Sequence, residues 1–290
     1  MKNNKIITVL VILISIFAVS ASLSGIFITG GPGPYDYVSL RGKVVEIYGY
    51  GLYRDMSSDV AIQGIAQDYV TLFIAVPLLI AAWYFSRKNS LSWRFILAGT
   101  LNYFFVTYIM YMCMAMYNAM FLIYVILTGI SFFSLAITLL SFDTHELPGR
   151  FNKKAPLRLS GGFLILNSII IGLLWLGIVI PPLFNGTIVP DSAEHYTTLI
   201  VQGLDLSIFL PASFVSGYLL TKKNSMGFLL APTTLIFLSL LMTALLAKII
   251  AMGLNGVNII PAVFIIPVIL LTSIILSERV LRNINSSNTI

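Results

Sequence analysis

The chain has 290 residues, 58% of them hydrophobic and only 10% charged. No soluble globular domain of this length needs so much apolar surface, and the net charge of +6 sits in short turns, where it marks membrane topology and not a nucleic-acid partner. A single cysteine, Cys113, excludes an internal disulfide or a redox pair, and His145 and His195 fall in separate loops, which speaks against a haem or zinc site.

Taken in order, the chain opens on Met1-Lys2-Asn3-Asn4-Lys5 and runs apolar from Ile6 to about Ile28. Val19-Ser20-Ala21 has the look of a signal-peptide cleavage site, but the apolar stretch continues past it, so a retained first helix is expected. Gly30-Gly31-Pro32-Gly33-Pro34 stops that helix. Residues 35–48 are rich in β-branched and aromatic side chains and predict two short strands around Gly42. Seven more spans follow at about 64–85, 94–115, 118–141, 161–184, 198–220, 228–251 and 257–277. Each approaches the roughly twenty residues that cross a hydrocarbon core about 30 Å thick. The fold expected is an all-α integral membrane protein of eight transmembrane helices, embedded in the cell membrane and partnered first of all by the lipid bilayer.

Charge orients it. All Lys and Arg except Arg41, Lys43, Arg54 and Lys248 fall in turns or ends on one side, which places both termini in the cytoplasm. Two halves then have the same direction. Residues 1–142 form a first four-helix half with an extracytoplasmic insertion at about 31–61, residues 143–160 a cytoplasmic linker, and residues 161–290 a second four-helix half. Several marks recur in order: Asp68 and Asp205, Pro77 and Pro211, the basic turns Ser86-Arg87-Lys88-Asn89-Ser90 and Thr221-Lys222-Lys223-Asn224-Ser225, and Asn118 and Asn255. Together they predict a parallel tandem repeat.

An ionisable side chain inside lipid is expensive unless it has a use. Asp68 and Asp205 are expected at similar depth below the outer surface, and Lys248 at that depth from the other direction. The expected ion pair is Asp205–Lys248. In the first half, Tyr111 stands where Lys248 stands in the second, so Asp68 faces a phenol and is free to exchange a proton. Gln202 shares a face with Asp205. The stripes Tyr103-Thr107-Tyr111-Asn118 and Tyr124-Thr128-Ser131-Thr138 read first as helix-to-helix hydrogen bonds and second as a polar cavity. A substrate or ion site would therefore comprise Asp68, Asp205, Lys248, Tyr111, Asn118, Asn255 and Gln202.

Zinc-protease, Cys-x-x-Cys and phosphate-loop motifs are absent from the sequence, and no metal or cofactor is expected. The leading reading is a small secondary permease or channel-like carrier for a small molecule or ion. The rival is a non-catalytic sensor or accessory subunit that binds a membrane-protein partner, or a second copy, through Arg41, Arg54 and Asp55 of the outer loop. A membrane-embedded enzyme acting on lipid-linked substrates ranks last, because one carboxylate without a base, nucleophile or metal set makes a weak active site.

Overall fold

The computed structural model describes residues 4–88 and 90–285; Lys2 and Asn89 of the basic turns lie outside them. Eight helices are long and apolar enough to cross a membrane: α1 Lys5–Phe27, α2 Ser58–Ser86, α3 Leu91–Met114, α4 Phe121–Leu140, α5 Leu157–Phe184, α6 Ile200–Thr221, α7 Ser225–Leu254 and α8 Ala262–Arg282. By length and composition this is a multi-pass membrane protein. Helices suit that setting because every backbone group finds its partner within the segment. Helix α7 begins on Asn224, whose side chain accepts from the Met226 N–H, the local bond that favours Asn before a first turn.

The eighth span differs most from expectation. It starts at Ala262 and not near 257, because Asn258 through Pro261 form a turn, and it runs on to Arg282. The extra turn is polar and carries a Glu278–Arg282 ion pair of 2.6 Å, so hydropathy alone ended the span too early. Helix α2 likewise begins at Ser58, earlier than the apolar run.

Strand β1, Tyr35–Val38, pairs antiparallel with β2, Val44–Ile47, with Tyr35 opposite Ile47. Gly42, at φ +77°, makes the turn between them, a conformation that favours glycine. The hairpin leans on the segment between α5 and α6. Lys43 Nζ donates to the Asp191 carbonyl at 2.7 Å, Arg41 donates to the carbonyls of Glu194 and Tyr196, and the Tyr196 hydroxyl accepts from the Ser57 N–H at 3.2 Å. Burial pushes the Tyr196 phenol above its usual range, so it stays a neutral hydrogen-bonding group.

Helices α1 to α4 close on themselves, with α1 packed on α2 and α4, and α3 packed on α2 and α4. Helix α7 joins the halves by packing on α2 and α3 as well as on α6 and α8. Its contact with α3 is close: a Cβ on Gly99 would lie 2.6 Å from Ile236 Cβ. The second half is looser, since α5 packs on α6 but barely reaches α8. Sixty-one per cent of the most apolar window of α3 is buried, against 17% of that of α5; the protein's interior is therefore built around the first half and α7.

Candidate functional site

Asp68 is 1% exposed and sits in a nest of hydroxyl groups. Tyr53, in the segment between the hairpin and α2, donates to Asp68 Oδ2 at 2.6 Å. Tyr111 of α3 donates to the Gly64 carbonyl at 2.9 Å and reaches Asp68 Oδ1 at 3.3 Å. Ser22 of α1, Tyr108 of α3 and Tyr124 of α4 lie within electrostatic or hydrogen-bonding range of the carboxylate. Ser22 also lies in hydrogen-bonding range of Tyr108, and Tyr124 in that of Tyr53 and Asn118, although none of these contacts closes to full hydrogen-bond geometry. The rings of Tyr108, Tyr111 and Tyr124 pack edge-to-face and stacked, with centroids 5.4 to 6.1 Å apart. Burial, reinforced by the neighbouring Asp68 charge, drives the Tyr53 phenol well above its ordinary range. Tyr53 therefore remains a neutral donor to Asp68.

Helix α1 comes close enough for this only because residue 25 is glycine. A Cβ there would lie 1.9 Å from Asp68 Oδ2 and 2.9 Å from the Tyr53 hydroxyl. One position before Asp68, the buried Gln67 donates to the Tyr103 hydroxyl at 2.7 Å and to Thr107 Oγ1 at 3.2 Å, and Thr71 meets Tyr103 at 3.0 Å. The α3 stripe of Tyr103, Thr107 and Tyr111 is thus spent on binding α2.

Asp205 is placed differently. It is half-buried, and the Trp175 indole N–H of α5 donates to its Oδ2 at 2.8 Å. The expected Asp205–Lys248 ion pair does not form. Among the described residues the ion pairs are Arg54–Asp55, Arg150–Glu146 and Arg282–Glu278. Lys248 is half-buried on α7, acts electrostatically on both Asp68 and Asp205, and touches neither within bonding distance. Sequence reading fixes depth along a helix but not which neighbour stands across from it, and the indole of Trp175 is the nearer partner.

Both carboxylates adjoin a wide turn. The α2 backbone widens into a π turn at Thr71–Ala75, followed by Pro77, and α6 does so at Asp205–Phe209, followed by Pro211. Such turns gather at functional sites and at kinks. Relative to these turns the two acids are out of register: Asp68 precedes its π turn by three residues whereas Asp205 opens its own, an offset of roughly 4–5 Å along the helix at 1.5 Å per residue.

The remaining predicted residues disperse. Asn118 is a turn residue before α4, accepting from the Met120 N–H and donating to the Ala115 carbonyl. Asn255 caps the end of α7 by donating to the Ala251 carbonyl. Gln202 is half-buried one turn before Asp205. Arg54 and Asp55 pair with each other on the surface, and Arg41 is occupied by the α5–α6 segment. Asn255 also lines a cleft of about 420 Å³ with Lys43, Glu46, Asp59 and Glu194. No group of three or more metal-binding side chains occurs among the described residues.

Sequence reasoning missed Tyr53, Gly25, Gln67 and Trp175. Only Trp175 carried a readable signal: an indole N–H in the middle of an apolar span needs an acceptor. Compared with models of protein families, with curated proteins and with solved structures, the chain matches none.

Proposed function

We propose that the protein is a small secondary permease, built from two parallel four-helix repeats, with both termini and the basic turns on the cytoplasmic side of the cell membrane. Its solute site lies around Asp68, Lys248 and Asp205. The observation that carries this reading is the position of Lys248, which acts on one carboxylate from each half and is bonded to neither. An ammonium with no bonded partner among the described residues is costly to keep inside a membrane. It suits a site that opens and closes, because its electrostatic balance shifts when the halves move.

The repeat is supported by the recurrence of an Asp, a π turn and a proline in α2 and again in α6. A discontinuity at the same place in each half is what alternating-access carriers use to build a midplane site. The orientation rests on the basic turns. With no phosphate-loop motif in the chain, the driving energy comes from an ion gradient or from a partner protein.

The accessory-subunit reading draws its support from the hairpin tip, where Val38 and Leu40 are exposed. It loses Arg41, which is already bonded to the protein's own α5–α6 segment. A broad uptake screen separates the two, using cells that overproduce the wild type, Asp205→Asn or Lys248→Met. The permease reading expects at least one solute whose accumulation drops severalfold in both variants. Identical profiles in all three strains reject it.

A further inference from the structure

The chemistry of the partners around the two carboxylates points to a division of labour, and we infer that Asp68 is a proton-binding site, with the proton as coupling ion, while Asp205 is a carboxylate near neutral pH. This rests on the permease reading for the word coupling; the proton site itself does not.

The argument turns on what each partner is able to do. An indole N–H only donates. Trp175, bonded to Asp205 at 2.8 Å, is therefore a fixed partner for a carboxylate and has nothing to offer a carboxylic acid proton. A hydroxyl both donates and accepts, and its hydrogen rotates. Asp68 is surrounded by five: Tyr53 and Tyr111 within hydrogen-bond distance, and Ser22, Tyr108 and Tyr124 close by without a well-formed hydrogen bond. When Asp68 is ionised these groups turn their hydrogens toward it. When it takes up a proton, one of the loosely held hydroxyl oxygens accepts the new O–H. Buried polar groups are ordinarily paired, and three loosely held hydroxyls beside one acid leave the network free to take two settings.

The groups that face Asp68 come from every element around it: Ser22 and Gly25 of α1, Tyr53 of the loop, Tyr103, Tyr108 and Tyr111 of α3, Tyr124 of α4, and Lys248 of α7. The charged member is Lys248, and it does not touch Asp68. Among the described residues, then, no arginine or lysine locks the carboxylate in its charged form. Packing against the carboxylate is close on one side. On the α1 side even a methyl group on Gly25 would meet Oδ2 at 1.9 Å, whereas a proton needs no added volume. The step is simple: one proton from water binds a carboxylate oxygen, the local charge goes from −1 to 0, and release to the opposite side restores it.

Infrared difference spectroscopy on the purified full-length protein, between strongly alkaline and neutral buffer, a range over which exposed carboxylates stay ionised, tests this. The expected result is a protonated-carboxyl stretch that is present in wild type and in Asp205→Asn, lost in Asp68→Asn, and displaced in frequency in Tyr53→Phe. The Tyr53 variant keeps the test decisive if Asp68→Asn does not fold. A band that survives Asp68→Asn, vanishes in Asp205→Asn, or is unmoved in Tyr53→Phe overturns the assignment. So does a spectral change that sodium produces at fixed pH, which would make a metal cation the ligand. If the band behaves as expected while the uptake screen finds no solute, the proton site stands and the permease reading falls.

Discussion

The two halves of this protein hold one intramembrane aspartate each and treat it in opposite ways. In the first half, α1 to α4 close into a bundle, and Asp68 is sealed inside it under a glycine and among tyrosines. In the second, α5 and α6 form an outlying pair, and Asp205 is half-buried with a single indole for company. The difference shows that a recurring residue does not bring a recurring environment with it. Burial, and the number of hydroxyls in reach, decide what a carboxylate does. The comparison also explains why α7 is the most connected helix: it seals the first half and supplies the cation that both halves share.

The strongest way to break the comparison is at Gly25. Gly25→Ala places a methyl group on Asp68 Oδ2, so α1 or the carboxylate must move, at an expected cost of about 3 kcal/mol in stability. The check is the thermal unfolding midpoint in detergent. Gly172→Ala on α5 is the control, since a Cβ at that position would have only Leu210 Cδ1 for a neighbour, at 3.9 Å, and the change should leave the midpoint where it is. Equal midpoints for both variants would show that α1 is not packed on Asp68.

Next comes truncation of the acids themselves. Asp68→Ala leaves the buried Tyr53 hydroxyl without its acceptor and opens a void, and should cost about 2–3 kcal/mol. Asp205→Ala frees an indole in a half-exposed place and should cost no more than about 1 kcal/mol. Denaturant titration of both variants measures the gap. If Asp205→Ala proves the more damaging, the view of the first half as the sealed one is wrong.

Much of this architecture was legible in the sequence, for a physical reason. Bilayer thickness imposes a length on every span, so apolar runs alone place the eight helices. The β-branched and aromatic residues flanking Gly42 place the hairpin in the same way. What could not be read was azimuth, the side of each helix that meets a given neighbour. Asp205 and Lys248 look paired on a depth scale, but Trp175 stands on the relevant side. Tyr53 was hidden for another reason: it reaches Asp68 from an irregular loop that has no periodicity. The π turns were signalled only indirectly, through Pro77 and Pro211, because an inserted backbone residue leaves no side-chain signature. Asn118 and Asn255, a repeated pair in the sequence, serve turns instead, Asn118 before α4 and Asn255 at the end of α7, a task for which Asn is suited.

A smaller effect sharpens the second half. Trp175→Phe keeps the aromatic body and removes the N–H, so Asp205 loses its donor. The expected cost is about 1 kcal/mol, and fluorescence of the remaining Trp83 and Trp93 is left to report unfolding. Added to the uptake screen, the same change should lower solute accumulation severalfold, because it acts on a carboxylate at the proposed site. Tyr53→Phe is its counterpart in the first half. A larger loss of stability in Tyr53→Phe than in Trp175→Phe would agree with the deeper burial of Asp68.

The smallest effect concerns the face where the halves are tied together outside the helices. Arg41 is exposed, and its bonds run to the carbonyls of Glu194 and Tyr196. Arg41→Ala should cost at most about 0.5 kcal/mol, as surface substitutions do. Its effect should appear instead in local opening, because the outer loop meets the α5–α6 segment through a handful of surface contacts: Arg41, Lys43, the Tyr37–His195 ring contact, and the Asp55–His195 and Ser57–Tyr196 bonds. Hydrogen exchange provides the reading. Residues 185–199 should exchange severalfold faster in Arg41→Ala while α2 and α3 stay protected, since local opening near a loop is drawn from the low end of the stability range. Faster exchange spreading into α2 would mean that the hairpin braces the first half, and that its closure depends on the loop of the second.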